Sequence, residues 1–575
     1  MKKKVVSMLL ALTMIASALA GCGSKDTGAS SDAGTEAGTE SSASGTESSG
    51  AEDASDGPQE VTDFTMFITM PGSEINSDNE IAQMIADKWG VKIKETWLTG
   101  QTAAEATGTL IASGEYPDFV DTDDMSQLVD AEALIPLDDY IDQYPEFRDT
   151  WFTQEEWDKF RQPDGHIYWI NPFGNTMGES TTTTHNDEAF WIQVRVLEWA
   201  GYPDIQTMDD YFKVLEDYMA ANPTMEDGTQ NIAYTILCED WRYFCLENAG
   251  QFLAGHPNDG SVLVDSETLT IGDYNTSEDT KKYLQKLNEE YNKGFVDPES
   301  FTQTYDEYIA KLSTGRVLGM VDQWWDFAYT VNDVFKQQGL DAKGCNYVPL
   351  GLTTEAGMEN RWHTYDDTVN QASGVAISVD CKDPDKAFKF IVDCAMDQEL
   401  HDLRYWGVEG VDYQVDENGL FYRTDEQRMQ WADTSYQASH RCQYSYLPQW
   451  GGTSRDGKNA NKPEEQPSEF QNDMAQPLKD CLAAYGADNY VDMIGSVVET
   501  NGPWFPMYSY SNNFTTETPG GVAWAKMGEI KHEYLPKVVM ASDFDAAWEE
   551  YMGVYSDCKP EDFLSEMQAI LDTFK

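Results

Sequence analysis

Apolar and polar residues alternate along this chain with two different periods, and the change of period marks out its elements. Phe64-Thr-Met-Phe-Ile-Thr-Met70 is rich in β-favouring and apolar residues and predicts a buried strand. Ile81, Met84, Ile85 and Trp89 then recur at helical spacing, so a helix is expected over 79–89, with Ser77 or Asp78 as its cap and Gly90 as its stop. Val91-Lys-Ile-Lys-Glu-Thr-Trp97 alternates as a second strand, Thr102 to Ser113 reads as a second helix, and Pro117-Asp-Phe-Val120 supplies a third strand. Strand–helix–strand–helix–strand implies right-handed crossovers and a parallel sheet. Ligands of such sheets bind beyond the carboxyl ends of the strands, here the loops 71–78, 97–102 and 121–126. Farther on, helices are expected over 280–293, 305–314, 384–396, 522–534, 544–552 and 560–574, with strands at 316–321 and 374–379.

The first sixty residues have neither period. Lys2, Lys3 and Lys4 precede an uncharged apolar run from Val5 to about Leu19, the layout of a secretory signal. The run is shorter than the ~20 apolar residues of a spanning helix. Leu19-Ala20-Gly21-Cys22 resembles the bacterial lipoprotein box, which implies cleavage after residue 21 and acylation (palmitate among the acyl groups) of Cys22. Residues 23–60 are almost all Ser, Gly, Ala, Thr, Asp and Glu, a composition too polar to fold. The expectation is a signal peptide at 1–21, a lipidated tether at 22–60 and a folded part at 61–575, facing the outside of the cell membrane.

About five hundred folded residues exceed what one hydrophobic core supports, so two domains are expected. The 101 acidic residues against 38 basic give a net charge of −63. So negative a surface repels phosphate backbones and anionic lipid, leaving nucleic acid an improbable partner and the acyl chain as the membrane attachment. Apart from Cys22, eight cysteines are scattered without a C-x-x-C pair, and mostly free thiols are expected. The seven histidines stand far apart with no H-E-x-x-H, so no metal is expected from sequence.

Several local words are similar to those of family 1 bacterial extracellular solute-binding proteins, the lipid-anchored receptors of carbohydrate ABC importers. They are Gly114-Glu-Tyr-Pro-Asp-Phe-Val120, Ile135-Pro-Leu-Asp-Asp-Tyr140 with Tyr144-Pro-Glu-Phe147, Asp164-Gly-His-Ile-Tyr168, and Val196-Leu-Glu-Trp-Ala-Gly-Tyr-Pro203 with Thr207-Met-Asp-Asp-Tyr-Phe-Lys213. Tyr405-Trp-Gly-Val-Glu-Gly-Val-Asp-Tyr413, Asp416-Glu-Asn-Gly419 and Lys537-Val-Val-Met-Ala-Ser-Asp-Phe-Asp545 continue the series, resembling the larger, oligosaccharide-type members. The resemblance implies an α/β fold of two periplasmic-binding-protein-like lobes, each a mostly parallel sheet flanked by helices, joined by a hinge. The first lobe would begin at about 61–185. It also implies a monomer without cofactor or catalysis that passes a carbohydrate to the permease of an importer. Some members carry a calcium loop where this chain reads Asn222-Pro-Thr-Met-Glu-Asp-Gly-Thr-Gln-Asn231, in which several expected oxygen donors are missing or displaced.

No phosphate-binding glycine loop and no G-x-S-x-G elbow occurs, and carboxylates are too abundant for a pair of them to signal a glycosidase. The 17 Trp, 30 Tyr and 24 Phe carry more information. A sugar ring offers an apolar face to a flat aromatic ring and a rim of hydroxyls to forked polar groups. Asp322-Gln-Trp324-Trp325-Asp326 follows a strand and is the leading candidate, the alternative being that one Trp packs under the next helix. The other candidates are Asp121 and Asp123 after the third strand, Arg361, Trp362 and Asp366 in a mixed loop, Trp241 beside Arg242, Trp406, and Tyr446 and Trp450. Trp504-Phe505 fits hinge packing equally well. A secreted glycoside hydrolase, a surface glycan-binding adhesin and a peptide receptor of related architecture stay open at this level.

Overall fold

The computed structural model describes residues 60–76, 78–122, 125–257, 261–363, 369–496 and 502–575. The signal, Cys22, the tether and Ser77 lie outside them. In Thr62–Ile68, Phe64, Met66 and Ile68 point inward while Asp63 and Thr65 face out, the period-two pattern of a strand with one buried face. Val91–Trp97 and Phe119–Asp121 pair with it in parallel, on either side. The helix between the first two strands runs Glu80–Trp89. Its cap is Asn79, whose Oδ1 accepts from the Ala82 amide at 3.0 Å, and not Asp78. Gly90 closes it at φ 68°, where a side chain would be strained. The second helix, Ala103–Ser113, opens with a reciprocal capping box between Thr102 and Glu105.

Val375–Ile377 and Trp169–Ile170 complete this sheet in antiparallel pairings. The second sheet holds Tyr347–Leu350, Glu188–Gln193 and Gly319–Gln323, also paired antiparallel. Single parallel bridges, such as Ile232 to Val317 and Thr235 to Met320, extend it. Parallel pairing thus joins the first three strands of the first sheet and the single bridges of the second, while the remaining strand pairs of both sheets are antiparallel. The cause is topological: a strand that carries the chain out of a lobe and one that brings it back through the same gate run in opposite directions.

Each sheet has its own apolar core. One gathers side chains from 64–170 and 369–450, the other from 189–362 and 478–571. The chain thus passes between lobes three times, between Ile170 and Ala189, between Trp362 and Val369, and between Trp450 and Leu478. The first and third passages are stitched together. Thr176 and Met177 pair in parallel with Gly451 and Gly452, and the Thr453 amide donates to Glu179 O at 2.9 Å. Gly452 has φ 71°, and a Cβ there would lie 2.6 Å from Met177 O, so no other residue fits this contact.

The C-terminal helices Pro519–Met540, Phe544–Asp557 and Pro560–Asp572 cover the second lobe. All eight cysteines after Cys22 are free thiols, and all but Cys381 are buried. Among the described residues no helix is long and apolar enough to cross a membrane.

Candidate functional site

The strand Gly319–Gln323 runs back toward the passages and gives way at once to the helix Trp324–Gln338. Consecutive residues at a helix start point about 100° apart, so the two tryptophans separate. Trp324 turns in, 8% exposed, with its ring edge-on to Tyr329 at 4.8 Å. Trp325 stays half-buried and stacks on Trp241, with centroids 5.9 Å apart and planes 16° from parallel. Trp241 lies in the turn Asp240–Tyr243, so two separate segments build one aromatic platform.

Arg242 lies behind this platform. Its guanidinium sits between the rings of Trp241 (4.2 Å) and Tyr305 (4.1 Å), and Nε donates to both oxygens of Asp326 at 2.9 and 3.1 Å. Both partners are almost wholly buried. Among the described residues nothing accepts from Arg242 Nη2, a buried donor. A buried donor without an acceptor costs about 1–3 kcal/mol, which a ligand oxygen would recover. Tyr305 is fixed in turn, its hydroxyl donating to Asp326 O at 2.6 Å.

The first lobe answers with Tyr446. Arg404, fully buried, donates to the carbonyls of Gln443 (2.7 Å), Tyr444 (2.9 Å), Leu447 (3.1 Å) and Pro448 (2.8 Å), and so clamps the loop that carries it. The Tyr446 ring stands edge-on to Trp97 at 5.5 Å and to Phe173 at 5.3 Å. Burial pushes its phenol well above the ordinary range. Asp121 adds to the shift, and Arg242, Asp326 and Tyr305 of the other lobe also act on it. Asp121 ends its strand, buried and close enough to Tyr446 to act on its phenol. The lobes also touch directly here, the Ala103 amide donating to Asp240 Oδ2 at 3.0 Å.

The residues expected from sequence therefore divide. Trp325, Trp241, Tyr446 and Asp121 come together between the lobes, with Trp324 beside them. Asp322 does not reach this space. It is fully buried, accepting from the Tyr308 hydroxyl at 2.6 Å and the Gln323 amide at 2.7 Å. Burial, reinforced by Asp326, pushes its carboxyl well above the ordinary range. Trp362, Trp406 and Trp450 also belong to the packing. Each indole N–H has found a backbone carbonyl, Leu352 O at 2.7 Å, Ala460 O at 3.0 Å and Ala395 O at 2.6 Å respectively. Trp362 stacks on Phe252 at 4.2 Å, and Trp450 meets Trp151 at 4.7 Å. Arg361 stands apart, close enough to His256 to lower its basicity after burial. Asp123 and Asp366 lie outside the described residues.

Phe173 and Tyr305 were not expected beside the site, whereas Trp97 opens one of the loops expected to hold ligand. Phe173 and Trp97 follow the carboxyl ends of strands, the position from which ligand loops spring. Tyr305 carries no such signal, since it starts a helix. A surface depression of about 510 Å³, lined by Asp78, Glu80, Tyr436 and His440, shares no residue with this group. In the loop 222–231 two side-chain oxygens are engaged by cationic side chains, and Asp227 Oδ1 accepts from the Thr229 amide at 2.8 Å. Asn231 Oδ1 accepts from Arg195 Nη2 at 3.2 Å and Glu226 pairs with Lys343 at 2.8 Å.

Two lobes with separate cores, three passages and facing aromatic and polar groups define a binding protein of the hinged, two-lobed class. A family model described as bacterial extracellular solute-binding protein matches residues 80–425, more than half of the chain, and the protein belongs to that family. The fructooligosaccharide ABC transporter substrate-binding protein FusA of Streptococcus pneumoniae is 28% identical over 249 residues, 40% of this chain and 44% of that protein. The match thus spans less than half the length of this curated relative. Among solved structures, FusA of S. pneumoniae in complex with kestose superposes with a TM-score of 0.59 at 17% identity, covering 89% of this chain and 99% of that one. An HMO-binding, ABC-transporter-associated solute-binding protein of Bifidobacterium longum infantis gives 0.59 at 13%, with the same coverage. At these identities the likeness is one of fold.

Proposed function

We propose that the protein captures an oligosaccharide between its lobes and presents it, without altering it, to the permease of an ABC-type importer. The observation that carries this reading is the Trp241–Trp325 platform, with the unsatisfied Arg242 Nη2 behind it and Tyr446 and Asp121 opposite. A flat aromatic surface suits the C–H face of a pyranose or furanose ring, and a guanidinium and a carboxylate suit its hydroxyls. Arg242 is already neutralised by Asp326, and Asp121 adds a carboxylate, so the site favours a neutral glycan over a uronate. The fructooligosaccharide, HMO and kestose named for the relatives are in keeping with this class of ligand. Acylation of Cys22 and the tether 23–60 would hold a monomer outside the cytoplasmic membrane, within reach of the permease.

Thermal-shift measurement against a glycan panel tests the reading. A ligand at a hundred times its Kd stabilises the native state by about 2.7 kcal/mol, so at least one neutral oligosaccharide should raise Tm by several degrees. The glycan should be recovered intact. A panel that leaves Tm unchanged, a shift with peptides alone, or release of reducing sugar would each contradict the proposal.

A further inference from the structure

Two of the passages between the lobes meet at a pair of histidines that the sugar site does not use. His185 closes the first passage, just before the strand Glu188–Gln193, and His363 opens the second, just after Trp362. Their Nδ1 atoms are 3.0 Å apart, and the rings are 0% and 6% exposed. His185 Nε2 lies 2.7 Å from Glu188 O. A carbonyl only accepts, so this nitrogen carries the proton and His185 Nδ1 presents a lone pair. His363 Nδ1 then donates to it. Asp187 joins them: one carboxylate oxygen and the two imidazole nitrogens all lie within 4.8 Å of one another.

We propose that His185 Nδ1, His363 Nδ1 and the Asp187 carboxylate form a binding site for a divalent transition-metal ion of the zinc type, set between the first and second passages. Two imidazoles and one carboxylate suit zinc and its neighbours in the first row, whereas calcium and magnesium require mostly oxygen. Two nitrogens on a tetrahedral zinc at about 2.05 Å stand about 3.3 Å apart. The observed pair need open by only about 0.3 Å. Asp187, half-buried, supplies the third ligand. A metal-bound imidazole is characteristically held by a hydrogen bond from its far nitrogen to a carbonyl or carboxylate, as His185 is held by Glu188. On binding, His363 loses its Nδ1 proton and takes one up at Nε2. No redox change is involved, and a fourth position stays open to water. The ion would tie the outgoing chain to the returning chain at the gate between lobes. Its ligands are 178 residues apart, with no motif in the sequence.

The test is cobalt titration of the full chain after chelator treatment, read by visible d–d absorption. One equivalent of Co²⁺ should give the intense bands of a tetrahedral site, equimolar Zn²⁺ should abolish them, and Ca²⁺ should leave them unchanged. Asp187→Asn, which alters a half-buried side chain, should weaken Co²⁺ binding at least tenfold. His363→Gln should remove it. If His363→Gln fails to fold by circular dichroism, Asp187→Asn alone decides. Absence of a saturable one-to-one signal, or affinity unchanged in Asp187→Asn, overturns the site. Glycan binding is read separately by thermal shift, so neither result bears on the other.

Discussion

Trp325→Ala should weaken oligosaccharide binding by about 2 kcal/mol, roughly thirtyfold in Kd. The ring is one of two stacked indoles, half-buried and anchored from behind by the strand that ends at Gln323. Its removal deletes half of the platform and leaves Trp241 stacked on Phe244 alone. Trp241→Ala should cost a similar amount, and the double variant less than the sum, because the two rings act as one surface. Trp450→Phe is the matching control. Its ring packs on Trp151 inside the first lobe, so stability should fall and affinity should not. Titration calorimetry with the glycan selected in the thermal-shift panel reads all four. Unchanged affinity in both Trp241→Ala and Trp325→Ala would remove the platform from the site.

Arg242→Met should destabilise the protein by about 3 kcal/mol or more, because removing one member of a buried ion pair strands the other. Asp326 would remain buried without a partner; burial already raises its carboxyl above the ordinary range, and Arg242 is the group that pulls it back down. Adding Asp326→Asn takes away the stranded charge, so the double variant should recover most of the loss. Binding should be weak in both, since neither has the Nη2 donor. Denaturant unfolding followed by calorimetry separates these two effects. A double variant as unstable as Arg242→Met would mean that Arg242 acts through packing between Trp241 and Tyr305 and not through its charge.

Where side-chain period decides structure, the sequence was readable. The alternation in Val91–Trp97, the spacing in Glu80–Trp89 and the proline at the start of Pro384–Met396 each mark an element that the chain forms. Strand direction was less so, because Tyr347–Leu350 and Val375–Ile377 run antiparallel through the path of the chain between lobes and not through their composition. The site was half legible. A Trp pair after a strand pointed to the corner where Trp325 meets Trp241, but which ring reaches out depends on the helix starting at Trp324 itself. Trp362, Trp406 and Trp450 look in sequence like any other tryptophan. What retires them is a carbonyl placed for each indole N–H, and those carbonyls lie 10, 54 and 55 residues away. Arg242 beside Trp241 was visible, but its partner Asp326 is 84 residues distant, so the pair emerges only on folding.

Small-angle X-ray scattering, with and without the selected oligosaccharide, measures lobe closure itself. With the ligand saturating, the radius of gyration should fall as Tyr446 and Asp121 approach Trp241, Arg242 and Trp325. Tight binding with an unchanged radius of gyration would contradict closure of the lobes on the sugar.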